Sequence, residues 1–227
     1  MVTYEPQPSI LSGTPCSVRG EVEGCGFALD FGSGLARAAA LLRAGELVAF
    51  PTDTVYGVGA IVWDAAAVGK LYGAKLRALD KAIPVLLADP ADVSLVACDL
   101  PPAALRIAAR FWPGPLTLVV PRAAGVPDEV TAGGDTVAVR VPDHALARAL
   151  IRAAGAPLAT TSANLSGQPS PVTAEEAATQ LGSRIALILD GGRCPGGVAS
   201  TVVDVTGAEP VILRVGPITL EQIMEGV

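Results

Sequence analysis

Histidine occurs once in this sequence, at His144, and aromatic residues make up only 4% of it. One imidazole and no G-x-S-x-G elbow leave serine-hydrolase chemistry without support. His144 opens an alanine-rich helical stretch and reads as a helix N-terminal surface residue. The shortage of aromatics leaves little surface on which unpaired bases could stack. The four cysteines, Cys16, Cys25, Cys98 and Cys194, contain no C-x-x-C pair. With a single histidine they make no zinc-ligand pattern, so no protein-bound metal is expected and the thiols are expected to be free. Phosphate-binding signatures are also missing: there is no G-x-x-x-x-G-K-[ST], and no G-x-G-x-x-G between a strand and a helix. Apolar runs are broken by Arg, Asp, Gly or Pro before the roughly 18 residues needed to span a bilayer. The first 30 residues carry Glu5, Glu21, Glu23 and Asp30 and lack a basic stretch followed by an apolar one, so a cytoplasmic chain is expected. A net charge of −6 argues against broad electrostatic binding to nucleic acid.

What is present is apolar material: 51% of 227 residues, enough for one sizeable core without staples. Residues 1–32, rich in Gly and Pro, read as an irregular N-terminal arm, and residues 33–227 as the folded domain. The stretch "SGLARAAALLRAG" predicts a helix capped by Ser33, with Leu35, Ala38, Ala39 and Leu42 inward and Gly45 ending it. Strands are predicted at 46–50, 84–88, 116–120, 136–141, 157–161, 185–189, 200–205 and 211–215. Helices are predicted at 64–74, 101–111, 143–154 and from the capping box "TAEE" at Thr173. Interleaved helices and strands, with several strands in direct succession, predict an α/β or α+β domain with a twisted mixed sheet.

Polar clusters fall at the strand ends: "PTDTVYG", "KLYGAKLRALDK", "TTSANLSG", "DGGRCPGGVAST" and "ILRVG". Each alone is an ordinary turn or a solvated helix end. Together they supply cations, hydroxyls and Gly-flanked backbone, the parts needed to hold a polyphosphate without a Walker loop. Lys75, Arg77, Lys81, Arg140 and Arg214 beside turn residues would focus positive potential in one cleft of an acidic chain.

Seven stretches resemble, in order, the YrdC/Sua5 family, the threonylcarbamoyl-AMP synthases that begin formation of N6-threonylcarbamoyladenosine in tRNA. They are "GELVAFPTDTVYGVGA", "KLYGAKLRALDKAIPVLLAD", "FWPGPLTLVV", "TVAVRVPDH", "TTSANLSGQPSP", "GGVASTVVDV" and "ILRVGPIT", and the resemblance is to the short single-domain form. It implies a twisted sheet forming a basic concave groove that binds ATP and L-threonine side by side. The implied reaction joins L-threonine, bicarbonate and ATP, with Mg²⁺ accompanying the phosphates, to give threonylcarbamoyl-AMP and pyrophosphate. Contact with tRNA, or with the complex that transfers the threonylcarbamoyl group to it, is implied in turn. Carried over position by position, Thr52, Arg140 and Ser200 would contact threonine. Lys75 and Arg77 would face the phosphates, with Thr136, Thr160, Ser162 and Arg214 contacting ATP, and Asn164 would complete the S-x-N element that works with K-x-R in catalysis. Ala78 and Ala82 stand where the family often has proline, and Leu86 where many members have a polar residue near threonine. Two other readings fit the same groove: a non-catalytic RNA-binding or ribosome-associated module, and a relative that makes a carbamoyl-adenylate.

Overall fold

A computed structural model describes residues 26–27 and 31–225 of the chain. Its first elements are β1 (Gly26–Phe27), α1 (Phe31–Arg43), β2 (Val48–Phe50), β3 (Gly57–Ile61), α2 (Ala65–Lys75) and β4 (Val85–Leu86). A 3-10 turn at Pro90–Leu95 leads to α3 (Pro102–Phe111), β5 (Leu116–Pro121), α4 (Asp128–Thr131), β6 (Thr136–Arg140) and α5 (Ala145–Ala154). The chain continues through β7 (Leu158–Ser162), α6 (Ala174–Leu181), β8 (Leu187–Ile188), β9 (Thr201–Asp204), β10 (Val211–Arg214) and α7 (Leu220–Met224).

Several helix ends follow from local chemistry. Asp64 caps α2 by accepting from the Ala67 amide at 2.9 Å, and Thr173 caps α6 by accepting from that of Glu176 at 3.3 Å. Gly45, past the end of α1, has a φ of +76°, which a side chain rarely adopts. The structure corrects three sequence expectations here. Ser33 lies inside the first turn of α1, which starts at Phe31, so it is not the cap. His144 is half-buried rather than a surface residue, and its Nδ1 accepts from the Ala147 amide at 3.4 Å as the cap of α5. Regular structure also begins inside the stretch read as an irregular arm, because Gly26–Phe27 pairs with β8; the rest of that arm up to residue 25 lies outside the described residues.

The strands form one sheet in the order β1-β8-β2-β3-β7-β4-β6-β5-β9-β10. It is mixed as expected: β2/β8, β4/β6 and β5/β9 are parallel, while β2/β3, β3/β7, β5/β6 and β9/β10 are antiparallel. Strand β3 was not expected as a separate element, because glycines at two of the five positions of "GVGAI" hide its period.

Period-two alternation divides the sheet into two faces. Leu116, Leu118 and Val120 of β5, Val137 and Val139 of β6, and Val203 of β9 point to a core completed by α2, α3 and α6. The opposite face carries Val48, Phe50, Leu86 and Leu158, covered by Ala38, Ala39 and Leu42 of α1 and by Leu146, Leu150 and Ile151 of α5. These two helices cover that face only as far as Leu86. Beyond it, on β6, β5 and β9, the same face carries Ala138, Thr117 and Val202, which line a cavity instead of meeting a helix.

Candidate functional site

The cavity measures about 420 Å³ and is floored by the uncovered part of the sheet. Its volume depends on small residues: a Cβ on Gly57 would come within 2.8 Å of Thr160 Cγ2, and the β6 contribution between Thr136 and Arg140 is only Ala138. Leu86 forms part of the wall, as do Val55 and Leu213.

One wall is built by the loop between β2 and β3. Pro51 ends the β2 ladder, and the Thr52 hydroxyl then organises the turn. It accepts from the amides of Thr54 (3.1 Å) and Val55 (3.2 Å) and donates to Val55 O at 2.7 Å. With that proton spent, the 2.9 Å contact between the Thr52 and Thr54 hydroxyls is a donation from Thr54. Thr54 in turn accepts from Arg140 Nη1 at 2.9 Å. The same guanidinium donates from Nε to Gly114 O at 2.9 Å and from Nη2 to Asp53 Oδ1 at 2.5 Å. Arg140 and Asp53 side chains are only 7% and 11% exposed, so this is a buried ion pair. Burial pulls the Arg140 pKa down and the Asp53 charge opposes that pull.

Arg77 and Arg214 line the same cavity. Leu76 follows α2 in the left-handed region (φ 52°), and this reversal separates the directions of its neighbours. Lys75 turns inward and is 2% exposed; Arg77 emerges to line the cavity, braced by Lys81 O at 3.3 Å and Ala82 O at 3.0 Å. Arg214 donates to Ser200 O at 2.8 Å and to Ser200 Oγ at 3.0 Å, and Ser200 Oγ also meets Thr117 Oγ1 at 2.8 Å. Burial lowers the pKa of both arginines, and for Arg214 the neighbouring Arg77 charge adds to the effect. Cations are therefore held close in a partly dry site, which favours an anion between them.

Thr52, Arg77, Arg140, Thr160, Ser162, Ser200 and Arg214, all named from the sequence, line this one cavity. Lys75, Asn164 and Thr136 do not. The Lys75 ammonium donates to Ser162 O, to Asn164 O at 2.5 Å and to Asn164 Oδ1 at 3.4 Å, so it clamps the turn after β7 from behind. Burial, helped by Arg77, lowers its pKa to about 8. Asn164 completes the turn by donating to Leu165 O (2.8 Å) and Gln168 O (2.7 Å). Thr136 sits at the far end of β6, paired with Pro121. Asp53 and Thr54 lie in the "PTDTVYG" cluster singled out from the sequence, though not as individual site residues, and sequence reading missed Thr117. Thr117 was findable, as a polar residue at an alternate position in the apolar strand "LTLVVP". Among the described residues no group of His, Cys, Asp and Glu could hold a metal ion.

Comparison with known proteins places these residues in context. The Sua5/YciO/YrdC family model, described as telomere recombination, matches residues 40–216. The chain is 50% identical over 190 residues to the threonylcarbamoyl-AMP synthase of Bacillus subtilis, covering 83% of this chain and 55% of that protein. It is 42% identical to a putative threonylcarbamoyl-AMP synthase of Mycobacterium tuberculosis, covering 85% and 88% of the two chains. Among solved structures, Pyrococcus abyssi Sua5 complexed with L-threonine superposes with a TM-score of 0.84 at 43% identity, covering 88% of this chain and 58% of that one. The chain thus spans about half the length of the Bacillus and Pyrococcus relatives.

Proposed function

The chain belongs to the Sua5/YciO/YrdC family, and from that membership we propose that it is an L-threonylcarbamoyladenylate synthase acting in tRNA modification. The observation that carries the reading is the meeting of Arg77, Arg140 and Arg214 around one hydroxyl-lined cavity in a chain of net charge −6. The names of the relatives supply the substrates.

In this reading the α-carboxylate of L-threonine lies against Arg140. That guanidinium has five N–H donors, and the three bonds described above use one on each nitrogen, leaving two to turn toward the cavity. The Thr52–Thr54 turn and Ser200 offer the polar wall, and Leu86 and Val55 an apolar one for the substrate methyl. ATP phosphates lie between Arg77 and Arg214, and Thr160 and Ser162 face the nucleotide. The amine takes up bicarbonate with loss of water to form an N-carboxylate. One of its oxygens then bonds to the α-phosphorus as the bond to the β-phosphate oxygen breaks, releasing pyrophosphate. No side chain acts as nucleophile; the residues position two anions and neutralise the charge that builds on the leaving pyrophosphate. Mg²⁺ would arrive with ATP as part of the substrate, without carboxylates of this chain as ligands. The mixed-anhydride product would pass to a transferase acting on tRNA, and a cytoplasmic location accompanies that role. No helix among the described residues is long and apolar enough to cross a membrane.

The test is incubation of the purified protein with ATP, Mg²⁺, bicarbonate and each of a panel of amino acids, following pyrophosphate and identifying the adenylate by mass spectrometry. Pyrophosphate and threonylcarbamoyl-AMP should appear with threonine. No adenylate from protein that binds ATP would overturn the reading; product from carbamoyl phosphate instead, or tRNA binding without turnover, would replace it with the carbamoyl-adenylate or RNA-binding alternative.

A further inference from the structure

Three arginines line one cavity, yet their surroundings differ in charge. Arg140 is neutralised at 2.5 Å by Asp53, whose carboxylate stands behind it and does not itself line the cavity. Arg77 and Arg214 are braced by neutral groups, the carbonyls of Lys81, Ala82 and Ser200 and the Ser200 hydroxyl; among the described residues no carboxylate is in contact with either, and Asp80 acts on Arg77 only through its charge. The cavity is therefore lined by one guanidinium in contact with a carboxylate and by two that have no carboxylate in contact.

We propose that Asp53 is a positioning and specificity residue that sets Arg140 apart from the other two arginines, keeping its donors for an amino-acid carboxylate and weakening its hold on phosphate anions. The inference rests on the proposed function, since it takes amino acid and polyphosphate as the two ligands. A guanidinium paired with a carboxylate keeps directed N–H donors but little net charge. It can still hydrogen-bond the carboxylate of a zwitterion, whose own net charge is near zero, whereas the pull on a multiply charged phosphate is largely cancelled. Without Asp53, all three arginines would present unpaired positive charge, and ATP or released pyrophosphate could reach Arg140 and block threonine. Asp53 also fixes the guanidinium plane together with Thr54 and Gly114, so its loss would disorder the donors that threonine uses.

The experiment measures L-threonine and inorganic pyrophosphate binding by calorimetry, singly and in competition, alongside steady-state kinetics. In the unaltered protein, pyrophosphate should compete with ATP and leave threonine affinity unchanged. In Asp53→Asn, threonine affinity and the KM for threonine should worsen by about tenfold or more, as for a buried charge pair that loses one partner. Pyrophosphate should then compete with threonine, while the KM for ATP stays within about twofold, a split that general loosening of the fold would not produce. Asp53→Glu, which keeps the charge, should restore most of the threonine affinity. Pyrophosphate competing with threonine in the unaltered protein would overturn the proposal even if Asp53→Asn did not fold. Unchanged threonine binding in a folded Asp53→Asn protein would overturn it while leaving the proposed function standing, and absence of threonine binding by the unaltered protein would overturn both.

Discussion

Lys75 carries a positive charge at neutral pH in a place with almost no access to water, and its three acceptors are all oxygens of Ser162 and Asn164. Its pKa is about 8 in the folded protein against the ordinary 10.5. Between those values the unfolded chain binds more protons than the folded one, so the Lys75 contribution makes stability rise with pH across that window. Activity should move the other way, because the neutral amine holds the Ser162–Asn164 turn less firmly and kcat/KM should fall as pH passes about 8. Denaturant melts across the window should therefore show a rise in stability that is absent in Lys75→Met; a rise that persists in the variant would assign it to other groups. At Thr117 the effect is subtler. Its hydroxyl is buried against Ser200 Oγ, and Thr117→Val keeps the shape while removing the partner. Loss of one such buried hydrogen bond costs about 1–3 kcal/mol, expected here as a raised KM for the ligand held by Ser200, with the variant still folded.

At the scale of elements, the β9–β10 hairpin is held by a close backbone approach just after it. A Cβ on Gly216 would lie 2.3 Å from the Thr201 amide nitrogen and 2.6 Å from Ala199 O. The adjacent Thr201 hydroxyl clamps the same segment, donating to Ile218 O at 2.8 Å and accepting from its amide at 2.9 Å. Gly216→Ala should push the two segments apart, cost on the order of 1–3 kcal/mol as an overpacking change, and weaken ATP binding by shifting Arg214 away from Ser200. Calorimetric unfolding and ATP titration together check this; an unchanged melting temperature with unchanged ATP affinity would show that the approach is relaxed at no cost. The Lys75–Leu76–Arg77 step is a second device at this scale. One non-glycine residue in the left-handed region lets adjacent cations serve opposite sides of the chain, one clamping a turn and one facing the cavity.

For the whole molecule, the site exists because helices α1 and α5 cover only part of one sheet face. Leu150 of α5 is fully buried in the same apolar cluster as Leu42, Phe50 and Leu158. Leu150→Ala should destabilise the protein by about 2–5 kcal/mol, yet leave the KM for threonine and ATP unchanged at temperatures where the variant is folded. An acidic molecule with arginines gathered in one cavity also gives a field that salt screens. ATP association measured by stopped flow should slow as ionic strength rises, and Arg214→Gln should flatten that dependence; equal slopes in both proteins would exclude local focusing at Arg214.

The succession of elements and most of the site could be read from sequence because both depend on local chemistry: caps at Asp64 and Thr173, alternation in β5 and β6, and polar turns at strand ends. Resemblance then singled out Thr52, Arg77, Arg140 and Arg214, which do share one cavity. Only the tertiary structure decided which of these groups face the cavity and which support it. Lys75 and Arg77 are two residues apart, and no periodic pattern reveals that Leu76 reverses the chain between them. Asp53 and Arg140 are 87 positions apart, so their pairing depends on the sheet bringing the β2–β3 loop to the end of β6. Strand order and the extent of helix cover are set by packing between distant segments, and through them which cavity arginine meets a carboxylate.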